Sequence, residues 1–164
     1  MDKTPKFCIH INKLDLENVD RDIIANLDKM IKTKNENKMS IIEEIISVTL
    51  KYEGQPLKCN ISIVFTSNKM IRQMNKQYLG IDRETDVLCF PYRDKPPFEC
   101  DIIISVEKAY QQCKIYGNTF YQEISILIIH AILHLLGWKD NNDRLRQNMY
   151  NRQKEIFKKI CFQF

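Results

Sequence analysis

Two of the three histidines in this 164-residue chain, His130 and His134, stand four residues apart in an apolar run. The run opens at Ile126 and reaches Gly137 before Asp140. On a helix of 3.6 residues per turn, positions i and i+4 share one face, with Cβ atoms roughly 6 Å apart. Two imidazoles at that spacing can grip one metal ion. Gly137 suits the position just past a helix end, where a left-handed residue reverses the chain. A side chain a few residues beyond such a turn folds back toward the helix face, which makes Asp140 the third candidate ligand. Two neutral imidazoles and a carboxylate leave a zinc-like ion with an open position, as catalytic rather than structural sites do. The bland alternative is a pair of core histidines bonded to carbonyls. It asks a small protein to desolvate two imidazoles at several kcal/mol with nothing assured in return.

These residues depend on the elements that carry them. Thr119 and Gln122 form a capping box that starts the histidine helix. Upstream, residues 7–11 read as a short strand, and Val19 to Ile31 show helical apolar spacing. Ser40 and Glu43 cap a helix that runs to about Tyr52. Residues 60–65 read as a strand, and Ser67 or Asn68 caps a helix to Tyr78. Residues 87–90 form a strand ended by Pro91, residues 93–99 a loop, and residues 101–105 a further strand. Val106 to Tyr116 are helical, and Leu145, Met149, Ile156 and Ile160 mark a last amphipathic helix. His10, in the first strand, is assigned no role. The order predicts an α+β fold: one domain over residues 1–164, with helices packed on a small mixed sheet. About 18–38 read as extra helical length near the N-terminus.

Hydrophobic residues make up 44% of the chain and charged residues 28%, which excludes a disordered composition. No run reaches the ~18–20 apolar residues of a membrane span, and residues 1–5 lack a signal-peptide pattern. A cytoplasmic protein without membrane association is expected. The six cysteines, Cys8, Cys59, Cys89, Cys100, Cys113 and Cys161, show no C-x-x-C spacing and read as reduced core residues. Net charge is +4, and residues 138–164 hold seven Lys/Arg against three Asp/Glu, the whole of that excess. Such a bias fits the solvated face of a helix, and equally a phosphate-facing rim.

Three separated segments resemble the YbeY family of metal-dependent bacterial endoribonucleases that mature ribosomal RNA. Asn75, Tyr78 and the run Thr85-Asp86-Val87-Leu88-Cys89-Phe90-Pro91 are similar to that family's Asn-x-x-Tyr-Arg and Thr-Asp-Val-Leu-Ser-Phe-Pro block. Asp101 to Ser105 resemble its Gly-Asp-Ile-x-Ile-Ser strand. The histidine helix and glycine turn resemble His-x-x-x-His-x-x-Gly-x-x-His. The resemblance spans roughly residues 40 to 160 and implies a single-strand-specific endoribonuclease. It would use one divalent ion, expected to be zinc, on ribosomal RNA and the ribosome, with no DNA substrate. His130 and His134 match the metal motif directly, and Asp140 stands at the third histidine's position. Leu79 stands where the family has an arginine tied to RNA cleavage, and Cys100 replaces the glycine before Asp101. Arg83, in the loop leading to Thr85, is the candidate for phosphate contact in that arginine's place. Asp86, Asp101 and Asp143 are candidates to orient the imidazoles, although Asp86 and Asp101 also suit caps at strand ends. Zinc proteases that end their motif in Gly-x-x-Asp need a glutamate after the first histidine, where this chain has Ala131. The alternative from another class is a non-catalytic RNA- or ribosome-binding relative, which Leu79 and Asp140 favour and the retained histidine pair opposes.

Overall fold

The computed structural model describes residues 6–32 and 39–160. Four strands, β1 (Phe7–Lys13), β2 (Cys59–Thr66), β3 (Val87–Arg93) and β4 (Phe98–Ser105), form one mixed sheet in the order β1-β2-β4-β3. β1, β2 and β4 run parallel, and β3 returns antiparallel along β4. Among the described residues six helices accompany them: α1 (Arg21–Ile31), α2 (Ile41–Tyr52), α3 (Asn68–Leu79), α4 (Val106–Tyr116), α5 (Phe120–Leu135) and α6 (Asp143–Phe157). The α+β expectation therefore holds. The segment at 18–38 supplies α1, whose Ile23, Leu27 and Met30 are buried in the main core. Its residues 33–38, like Cys161, lie outside the described residues.

Strand alternation divides the sheet between two apolar clusters. Ile61, Ile63, Phe65, Ile102 and Ile104 point into the main core with α1, α2, α4 and α5. Ile103 joins Leu88, Phe90 and the α3 residues Ile71 and Met74 in a smaller cluster. That period of two is what a pleated sheet imposes on side chains. One expectation is corrected here: β3 does not end at Pro91 but continues to Arg93, with Pro91 opposite Cys100 and a register shift before Arg93. β4 correspondingly begins at Phe98, so the loop shrinks to residues 94–97. A proline fits because β3 is an edge strand, where a missing N–H need not break a ladder.

The central element is α5. Most of its residues are buried, and Ile124, Ile128, Ile129, Ile132 and Leu133 have no exposed surface. Half-burial along it is confined to Tyr121, Gln122, Ile126, His130 and His134, so an open seam with a four-residue repeat ends on the two histidines. Among the described residues, no helix is long and apolar enough to cross a membrane.

Candidate metal centre

Both ends of α5 are fixed locally. At the start, the Thr119 hydroxyl accepts from the Gln122 N–H at 3.2 Å. The Gln122 side chain in turn accepts from the Thr119 N–H at 2.9 Å, the reciprocal bonds of a capping box. At the end, Gly137 adopts φ 97°. Its N–H donates to the His134 carbonyl and the Trp138 N–H to the Leu133 carbonyl, both at 3.0 Å. These paired bonds form a Schellman turn, which satisfies carbonyls that the helix leaves open. The turn sends the chain back along the seam. There Asn142 caps α6 through the Leu145 N–H at 2.9 Å, and Arg146 holds the Asp140 carbonyl at 3.3 Å.

The structure brings His130, His134 and Asp140 together. Their Nε2 and carboxylate oxygen atoms converge within 4.8 Å of one another. The two Nε2 atoms are 2.9 Å apart. Asp140 Oδ2 lies 3.7 Å from that of His130 and 3.4 Å from that of His134. These separations bracket the roughly 3.4 Å between two ligands on a tetrahedral ion with bonds near ~2.1 Å. The outer ring nitrogens are already engaged. His134 Nδ1 lies 3.0 Å from the Trp138 carbonyl oxygen, and His130 Nδ1 lies 2.8 Å from Gln153 Oε1. A carbonyl oxygen only accepts, so each Nδ1 carries the hydrogen, and each neutral imidazole presents a lone pair at Nε2. Two lone pairs and a carboxylate facing one another repel. A single proton relieves one pair, whereas a cation among them satisfies all three donors. The residues present therefore fit a divalent ion.

A second ring of contacts holds the turn. The Trp138 indole N–H donates to Glu53 at 3.2 Å, and Arg152 Nε donates to the other Glu53 oxygen at 2.6 Å. The Arg152 guanidinium also lies 4.6 Å from the centre of the Tyr52 ring and bonds Glu155 at 3.0 Å. Its hydrogen bond to Glu53, more than any other contact, raises its pKa. Glu53 at the end of α2, Trp138 in the turn and Arg152 on α6 thereby clamp the carbonyl that orients His134.

The remaining candidates lie elsewhere. Asp86 accepts from the Val87 N–H at 2.7 Å and from Gln112 at 3.2 Å, the local capping role. Asp101 sits inside β4, not at a strand end, and accepts from the Tyr92 hydroxyl at 2.8 Å. Asp143 is 99% exposed and paired with Arg146. None of the three orients an imidazole; an amide and a main-chain carbonyl do so instead. Arg83 is exposed in the loop before β3, and its carbonyl accepts from Asn75 at 3.0 Å. Its guanidinium has no ion pair among the described residues. Leu79, at the end of α3, is 54% exposed. Near Asp86 lies a buried acid that sequence reasoning passed over, Glu123, 4% exposed and bonded to Asn118 at 3.1 Å. Burial first, and then the charge of Asp86, push its carboxyl pKa above the usual range.

Comparison with known proteins converges on one family. The family model described as endoribonuclease YbeY matches residues 23–161. A protein of that name from Geobacillus sp. (strain WCH70) is 34% identical over 151 residues, covering 84% of this chain and 97% of that protein. One from Clostridium botulinum (strain Hall) is 36% identical over 158 residues, covering 82% and 95%. The solution structure of a Thermotoga maritima protein matches the fold with a TM-score of 0.55 at 25% identity. That alignment covers 93% of this chain and 88% of the other.

Proposed function

This chain belongs to the endoribonuclease YbeY family, and from that premise we propose that it cleaves single-stranded RNA during ribosomal RNA maturation. The ligands of its one divalent ion, zinc in this reading, are His130, His134 and Asp140. The observation that carries the proposal is the convergence of two Nε2 lone pairs and the Asp140 carboxylate, with both outer ring nitrogens satisfied. The partners are ribosomal RNA and the ribosome, and the compartment is the cytoplasm where they assemble.

What such an ion supplies when bound is polarisation of a phosphate oxygen and a lowered water pKa near ~7. The chain's own residues set the terms of that chemistry. The two imidazoles bind neutral, and Asp140 brings a full negative charge in place of a third imidazole, which softens the electrophilic character of the centre. Leu79 removes the two charge-assisted phosphate bonds an arginine offers. Arg83, exposed in the Asn75-held loop and without an ion pair among the described residues, supplies the phosphate contact in this reading. A contact reaching in from a loop does not fully replace the arginine missing at position 79, so the expected activity is metal-dependent but slow, one such electrostatic contact being worth ~10²–10³ in rate.

The test compares the parent with His130→Ala on an unstructured RNA, with and without chelator. Cleavage is expected from the parent alone, and only without chelator. Leu79→Arg should raise turnover and Arg83→Ala lower it. Equal cleavage by parent and His130→Ala, or a metal-loaded parent that cuts nothing, sinks the nuclease reading and leaves an RNA-binding relative in its place.

A further inference from the structure

α6 presents an apolar stripe to the core, with Met149 and Ile156 fully or nearly fully buried. Gln153 stands between them on the same face and is only 9% exposed. An amide in that position costs desolvation unless it is bonded, and its Oε1 meets His130 Nδ1 at 2.8 Å. A leucine would complete the stripe without that cost. The amide therefore serves the imidazole rather than the packing.

We propose that Gln153 is a positioning residue of the metal centre: its uncharged amide locks His130 in the Nδ1–H tautomer while leaving the centre positively charged. This rests on the reading of His130, His134 and Asp140 as metal ligands. The charge argument follows from Asp140. A divalent ion with one carboxylate ligand keeps a formal charge of about +1. Carboxylates are common partners for the outer nitrogen of a ligating histidine, since they raise its basicity. A carboxylate at position 153 would bring the assembly to neutrality and cancel its attraction for a phosphodiester anion. The partner of His134, the Trp138 carbonyl, is neutral as well. A third ligand that already carries charge is thus matched by two outer partners that carry none.

Gln153→Leu and Gln153→Glu in the full chain separate the two halves of the proposal. In metal-free protein, long-range proton–nitrogen spectra of the imidazoles read the tautomer of His130. The parent and Gln153→Glu should show Nδ1–H, and Gln153→Leu a mixture. Zinc affinity by competition with a chromogenic chelator should fall ~10–100-fold in Gln153→Leu, and hold or rise in Gln153→Glu. Dimethyl phosphate, titrated into cobalt-loaded protein and followed by its visible absorption, should bind Gln153→Glu on the order of tenfold more weakly than the parent. A Gln153→Leu variant with the parent's tautomer and zinc affinity overturns the positioning role. Unchanged dimethyl phosphate affinity in Gln153→Glu overturns the charge role. A parent that binds no zinc defeats the ligand reading instead, and the tautomer of His130 still decides for or against Gln153.

Discussion

At the scale of single residues, Asp140 differs from an imidazole in charge more than in reach. Its carboxylate already lies 3.4 Å from Nε2 of His134 and 3.7 Å from Nε2 of His130. Asp140→Ala should therefore weaken zinc binding by roughly a hundredfold or more, since one of three ligands is lost. Asp140→His should keep or strengthen it. Chelator competition reads both, and parent-like affinity in Asp140→Ala would remove this residue from the ligand set. The three candidate ligands were legible in the sequence because they lie on one helix and in its end turn, where spacing dictates direction. Gln153 was not. It approaches His130 across 23 residues, through the packing of α6 on α5, and glutamine is ordinary on a helix that is otherwise polar. Glu53 escaped notice for the same reason, as its partners Trp138 and Arg152 lie 85 and 99 residues away.

At the scale of elements, the turn after α5 does two things, ending a helix and presenting a carbonyl to His134. Gly137 holds φ 97°, and a Cβ there would meet nothing within 4 Å. The cost of Gly137→Ala is therefore conformational rather than steric against neighbours, about 1–2 kcal/mol for a left-handed non-glycine residue. A shifted turn also displaces the Trp138 carbonyl. Gly137→Ala should thus lower the urea midpoint and weaken zinc binding together; a loss of stability with unchanged affinity would separate the turn from the site. Caps of this kind were readable in advance, as the boxes at Ser40–Glu43 and Thr119–Gln122 show. The course of β3 past Pro91 was not, because a proline ends a strand or passes unnoticed according to whether that strand has neighbours on both sides.

At the scale of the whole molecule, Glu123 ties stability to pH. Its pKa is raised by burial, so the folded state favours the protonated form. Below the usual carboxylate range the group is neutral in both states and its full contribution is present. That contribution is lost as pH rises through the raised folded value. Glu123→Gln mimics the neutral form and should flatten the fall in stability as pH rises above the usual carboxylate range, measured by urea unfolding; a slope equal to the parent's would acquit the residue. The fold class followed from the order of elements, but the strand order β1-β2-β4-β3 did not, since partners such as Ile9 and Ile61 meet across a long intervening stretch that no local pattern connects. The placement of β3 at the margin of that sheet has a consequence for life in a crowded cell. A strand with one side free is a template on which a second chain can assemble, the first step toward aggregates. Pro91 has no N–H to offer a newcomer, and the irregularity between Pro91 and Arg93 breaks the regular row of groups it would need. The proline that disguised the strand in the sequence therefore also helps to guard it against self-association.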